Sequence, residues 1–349
     1  MTAEVDDPSP RWAGVGPALE ILALWALAGA QPVFDLFGRN AEFFLAADAG
    51  PGEILAFTLA VAFAVPLVLI LVESAVRFLR PAWGPATHRI LLGLLAVVLG
   101  LNVARQVGAD HVVPAVVIAG GFVALVLFLA GREATQSFLR YLGIAPLAFA
   151  ALFLFGSDAG RLVFSEEASV VEVDEGTGGP VAVLVFDELP LASLLTREGE
   201  INEQRFPNFA RLADQGTWYR NATAVAPSTP ESVPSILTGE FPEDDLLPTS
   251  ADRPVNLFTL LGGEYDVTAF EGLTDLCPDS VCAPAENPDV GNFVSDVLGV
   301  LGDTSVVYGH LTLPQPLRDG LPSLGESWAG FLDEPDEAAD QAPSSGLAE

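Results

Sequence analysis

The sequence predicts a two-part chain: an N-terminal α-helical multispanning membrane domain of about five helices, followed by an α/β domain outside the bilayer. Three observations predict it. Half of the 349 residues are hydrophobic and mean hydropathy is +0.43, well above what a soluble domain needs. The apolar content is concentrated in runs within the first 160 residues. Beyond residue 180, β-prone stretches alternate with segments of helical periodicity, the pattern of layered α/β folds.

The five apolar runs cover about 15–37, 53–72, 90–104, 112–130 and 142–155. Most approach the roughly 20 residues that cross a bilayer; the third and fifth are shorter. Only the first could pass for a signal peptide. Four further runs and no small-residue cleavage pattern argue for an anchor spanning residues 1–160. With the N-terminus inside, the cytoplasmic segments carry Arg11, Arg77, Arg80, Arg89, Arg132 and Arg140, against Arg39, Arg105 and Arg161 outside. That bias is the expected one and predicts a multi-pass cell-membrane protein with everything after residue 160 extracytoplasmic. Glu20 and Glu73 lie in or at the edge of spans. They read either as functional marks or as helix-end and bundle-facing positions. Asp110 and His111, isolated in a short loop, do not read as a metal site.

All 15 basic residues are arginine. Residues 1–163 carry a net charge of −3 and residues 164–349 a net of −28, so the acidity belongs to the outer part. Such a surface repels nucleic acid and excludes it as a partner. It fits a cation-rich exterior and equally a solvated acidic surface.

Residues 161–180 form a polar, Gly-containing linker, and the partial α/β domain is expected over 181–330. The run VAVLVF, 181–186, reads as a buried strand with Asp187 and Glu188 at its carboxyl end, where open α/β sheets place ligands. Taken alone, the two acids are an ordinary turn. Residues 208–215 have helical spacing, with Gly216 at the C-cap. TWYRNATAVA, 217–226, has strand composition. Ser228 or Thr229 opens a helix with Pro230 in its first turn and Glu231 behind it; Pro234 removes a donor further in. Thr229 alone reads as an N-cap, although a hydroxyl at a helix N-terminus also favours a neighbouring anion. Residues 254–276 read as a helix and then a strand. Cys277 and Cys282, the only cysteines, read as a local disulfide in an oxidising compartment rather than a metal pair. SVVYGHLTL, 305–313, reads as a strand with His310 near its end. The acidic tail, 331–349, cannot bury enough apolar surface to fold.

FDE at 186–188, FPNFARLADQGTWYRNA at 206–222 and the ten-residue step from Thr229 to the Gly239 of LTG together resemble the alkaline phosphatase superfamily, in its sulfatase-like branch. The T-x-x-S-V-P pattern from Thr229 to Pro234 looks more like membrane-anchored phosphoethanolamine transferases and lipoteichoic-acid-synthase-like proteins than like sulfatases. A threonine cannot become formylglycine, and Glu231 and Val233 replace the sulfatase Pro and Arg. The resemblance implies Thr229 as nucleophile and Asp187, Glu188 and Thr229 as ligands of a divalent metal, zinc first, with manganese, magnesium or calcium as alternatives. It implies His310 as a contact to substrate phosphate, with a second family histidine falling on Gln315. The expected activity is a metal-dependent phosphoryl-type transferase or hydrolase acting on a phospholipid or envelope glycan ester. The family's downstream Asp-His metal pair is absent. The expectation is therefore a C-terminally truncated domain, one needing a missing half or partner chain, or an inactive relative with a structural or binding role. A transporter or channel built on the spans ranks last.

Overall fold

A computed structural model describes residues 15–172, 181–187, 189–282, 293–324 and 328–332. The expected tail beyond residue 332, linker residues 173–180 and Glu188 lie outside the described residues. The chain divides into two compact units, residues 1–166 with 287–349, and residues 167–286.

The first unit is built on five helices long and apolar enough to cross a membrane: Gly16–Gly38, Pro51–Leu79, Pro81–Gln106, Val112–Leu129 and Glu133–Gly156. They fall on the five expected runs, and the chain is a membrane protein. The third and fifth are longer than their apolar runs because polar ends precede them, in the fifth as a helix, Glu133–Leu142, joined through a turn to Ala145–Gly156. The third and fourth spans form a close hairpin. A Cβ on Gly100 would lie 2.6 Å from the Ala119 Cα, so the two backbones approach through small residues, as helices in lipid do. At the C-terminal half of the first span, Phe34, Phe37, Phe44, Phe57 and Phe153 cluster with Phe43, the closest rings 4.4 Å apart at Phe37–Phe43. Edge-to-face pairs such as Phe44–Phe57 at 5.2 Å lock the first, second and fifth spans there.

The first span carries a π-helical turn at Ala26–Ala30, next to Pro32. Proline has no N–H to return to the carbonyl four residues back, that of Ala28. Asn102 Nδ2 donates to this oxygen at 2.7 Å, and the Tyr308 hydroxyl donates to it as well. Tyr308 sits on a further helix of this unit, Phe293–Thr312, which packs on the second and third spans. Asp303 on that helix accepts from the amides of Gly330 and Phe331 at 2.6 and 2.8 Å. The loop residue Asp110 pairs with Arg105 and Arg318, while its carbonyl accepts from the Gln315 amide at 3.0 Å. The expected strand at 305–313 is thus wrong: it is the last part of a 20-residue helix. Val300, Asp303 and Thr304 are buried at helical spacing, so burial against the spans overrides the local β-propensity.

The second unit corrects the expected α/β alkaline-phosphatase-like domain. Among its described residues there is no sheet, only three isolated bridges: Leu195 with Ile201, Thr249 with Asp275, and Val267 with Cys282. Residues 181–186 form no ladder and stand exposed, Val181 at 87% and Val185 at 63%. Residues 217–226 are turns and irregular chain, and 265–270 contribute one bridge. A strand needs edges to pair with and layers to cover it, and β-prone composition supplies neither. The helices here are Leu191–Leu194, Pro207–Gln215, Thr229–Thr238 and Leu257–Leu261. The last three fall where helical periodicity placed them.

Polar fastening replaces the sheet over residues 247–282. Asn256, fully buried, caps the helix Leu257–Leu261 through Phe258 and Thr259, and its amide donates to the carbonyls of Arg253 and Leu276 at 3.0 and 2.8 Å. Glu271 accepts from the amides of Leu276 and Cys277 at 2.9 and 2.8 Å and from the Thr274 hydroxyl at 2.6 Å. The Cys277–Cys282 disulfide closes this loop.

Candidate functional site

Thr229 is the first residue of the ten-residue helix Thr229–Thr238, with Ser228 as N-cap and Pro230 inside the first turn. Pro230 offers no N–H, so the unpaired amides of this end belong to Thr229 and Glu231. The Ser232 amide is engaged by the Ser228 carbonyl at 2.9 Å. At the other end, Gly239 has φ +75°, the left-handed cap conformation that only glycine takes without cost. This gives the Gly239 of the LTG motif a local physical reason. Pro234 and Ser235 are buried, and the Ser235 hydroxyl bonds back to the Glu231 carbonyl at 2.8 Å.

The structure brings Asp187 to this helix end. Thr229 Oγ1 donates to Asp187 Oδ2 at 3.4 Å, across 42 residues of sequence. The contact is at the long end of hydrogen bonding, as acid–base pairs commonly are before a substrate tightens them. A carboxylate beside a helix N-terminus is also electrostatically favoured. Both residues line a cleft of about 750 Å³, with Val185, Phe186, Leu189 and Pro190 on one wall and Ser228, Ser232, Val233 and Ile236 on the other. That volume lies in the range of roughly 300–1,000 Å³ typical of small-molecule pockets.

Ser232 is an addition to the residues expected from sequence. The Ser232 hydroxyl donates to the Ala226 carbonyl at 2.9 Å and ties the loop before the helix to its first turn. Its signal was present in the spacing: 229, 232, 233 and 236 are one face of an α-helix.

His310 belongs to the other unit. It lies on the helix Phe293–Thr312, and its Nε2 is 2.9 Å from the Pro322 carbonyl. Gln315 opens the short helix Gln315–Arg318 in the same unit. Cys277 and Cys282 are joined in the expected local disulfide.

Among the described residues no group of three or more His, Cys, Asp or Glu is arranged to hold a metal. Asp187 and Thr229 supply two hard oxygen donors. That set is short of the four ligands of a structural zinc site. It does fit partial ligation of a magnesium-type cation, which takes one or two carboxylates and completes its shell with water and phosphate oxygens.

No family model matches the chain, and no curated protein or solved structure matches it.

Proposed function

We propose that the chain is a membrane-anchored phosphoryl-type transferase or hydrolase that acts on phospholipid or envelope glycan esters through Thr229. The observation that carries this reading is the Asp187–Thr229 pair at 3.4 Å in a cleft of about 750 Å³. The residue-pattern resemblance to sulfatase-like transferases adds support from Asp187, Thr229 and Gly239; the fold forms no part of the proposal. The arginine bias supports an orientation with the N-terminus cytoplasmic and residues 167–286 extracytoplasmic.

The chemistry of the residues is a two-step group transfer. Thr229 Oγ attacks phosphorus, and its proton passes to the Asp187 carboxylate, which already accepts its hydrogen bond. The bond from phosphorus to the departing alcohol breaks, and Asp187 returns the proton it took to that alcohol's oxygen as it leaves. An acceptor hydroxyl or water then attacks the phosphothreonine, returning the Thr229 hydroxyl. The first-turn amides of Thr229 and Glu231 face developing negative charge, beside the apolar side chains of Val185, Phe186 and Ile236 that line the cleft. A divalent cation held by Asp187 and Thr229, with Glu188 its expected third ligand, would when bound supply Lewis-acid stabilisation of the phosphate oxygens.

The test is trapping of the covalent ester. The full chain in lipid nanodiscs is incubated with headgroup-labelled phospholipids, and the Thr229 peptide is read by mass spectrometry. Label is expected on the wild type and Thr229→Ser and absent from Thr229→Ala. Asp187→Asn is expected to slow labelling by about 10²–10⁴-fold, the usual worth of a positioned general base. A wild-type chain that never carries phosphate on Thr229, or a Thr229→Ala chain that still turns over donor, overturns the reading. The second reading, a non-catalytic binding or structural relative, is favoured by the two-donor count. It predicts donor binding in the cleft without turnover in the wild type.

A further inference from the structure

The membrane unit contains a second polar constellation, where the end of the second span meets the start of the third. His88 on the third span is bonded at both ring nitrogens. Nε2 lies 3.1 Å from Glu20 Oε2 on the first span, and Nδ1 lies 3.0 Å from Glu73 Oε2 on the second. Both carboxylates are almost fully buried, at 4% exposure each. The charged groups around them come from two spans. Arg77, on the second, donates to Glu73 Oε1 at 2.5 Å, and Arg140, on the fifth, has Nε 3.5 Å from Glu20 Oε1. Arg140 also reaches Gln136 at 3.4 Å. Two glycines make room for the guanidiniums: a Cβ on Gly16 would meet Arg140 Nε at 2.8 Å, and one on Gly84 would meet Arg77 Nε at 3.3 Å.

Proton counting makes this row more than a packing detail. An ionised carboxylate only accepts hydrogen bonds, and a neutral imidazole donates from one nitrogen alone. With both glutamates ionised and His88 neutral, one ring lone pair would face a carboxylate oxygen at 3.0–3.1 Å. Both contacts are attractive only when the three groups hold two protons between them. With Arg77 and Arg140 against the other oxygens of Glu73 and Glu20, the two-proton state is an imidazolium His88 between the two carboxylates. Buried intramembrane charge persists only when paired in this manner. The imidazole is also the side chain whose proton exchanges nearest neutral pH, and its edge keeps 15% side-chain exposure.

We propose that Glu20, His88 and Glu73 form an exchangeable proton-binding site in the membrane unit, whose occupancy sets how firmly the first three spans are held together. With the second proton bound, His88 bridges the first and second spans by two hydrogen bonds. When that proton leaves to buffer, one bridge becomes a repulsion between lone pairs and the spans are held by one bond. No other bond changes. Stability is therefore greater on the acid side and falls as the proton is lost.

The experiment uses the full chain in nanodiscs with ¹⁵N-labelled histidine. The chain has three histidines, so His88→Gln assigns the His88 signals. The ring is expected to be held with both edges hydrogen-bonded at acid pH and to lose one proton within pH 5–9. Thermal stability should fall by several degrees in step, and His88→Gln should remove that pH-dependent fall. Glu20→Gln, which keeps size and one acceptor, should move the titration midpoint to lower pH. This variant keeps the test open if His88→Gln does not fold. Three outcomes overturn the proposal: a ring whose protonation never changes between pH 5 and 9, a titration with flat stability, or a midpoint unmoved in Glu20→Gln.

Discussion

A hydroxyl, a carboxylate and one buried amide carry most of what single residues contribute to the second unit. Asp187 and Thr229 were expected to work together, and the 3.4 Å contact puts them within reach. His310 was joined to them only through a family pattern, and it lies on a helix of the other unit, bonded to Pro322. The least conspicuous of these residues in sequence is Asn256. It is fully buried, with its two acceptor and two donor bonds all made within residues 253–276. Asn256→Ala removes a helix cap and strands buried carbonyls, a loss of about 2–4 kcal/mol. The expected outcome is faster amide exchange across residues 250–282 in the full chain, with the spans unaffected. Unchanged exchange there would show that the disulfide and Glu271 suffice without it.

At the scale of elements, the helix Phe293–Thr312 is the decisive departure from expectation. Its last third has strand composition, and nothing in residues 305–313 alone shows that a transmembrane bundle will receive it. The receiving feature is the Ala28 carbonyl, left without its α-helical donor by Pro32 and met by Asn102 and Tyr308. Burial pushes ionisation of the Tyr308 phenol above its ordinary range, partly opposed by the Asn102 hydrogen bond. The folded chain therefore favours the neutral phenol. The docking it supports is complete below the usual tyrosine value of about 10 and is lost as pH climbs through the higher folded value. Among the four tyrosines, one is expected to ionise late in a spectrophotometric titration, and Tyr308→Phe should delete that phase. The same variant should loosen the helix by about 1 kcal/mol, read as faster proteolysis between residues 287 and 324. A late phase that survives Tyr308→Phe would refute the assignment.

For the molecule as a whole, the five spans organise everything that can be tested about sidedness. An odd number of spans puts the two termini of the bundle on opposite faces, so the arginine bias makes a sharp prediction. Cys277 and Cys282 are bonded to each other and leave the chain without reactive thiols. A single cysteine at Ser193 should then react with an impermeant maleimide in intact cells, while one at Arg132 should react only after lysis. The reverse pattern would invert the orientation and remove the extracytoplasmic setting from the proposed transfer reaction. In the second unit, the run 181–186 remains exposed although it is as apolar as many buried strands.

The sequence by itself determined the membrane spans, because twenty apolar residues in a row have few alternatives to crossing a bilayer. It also determined the helices at 207–215, 229–238 and 257–261, whose caps and spacing are local, and the disulfide between its only two cysteines. Only the tertiary structure decided which β-prone runs became strands, and among the described residues none did. Pairing is non-local, and a run such as 181–186 carries no record of whether a neighbour exists for its edges. Tertiary structure alone likewise set Glu20, His88 and Glu73 in a row, since three charges on three helices meet only once the helices have packed.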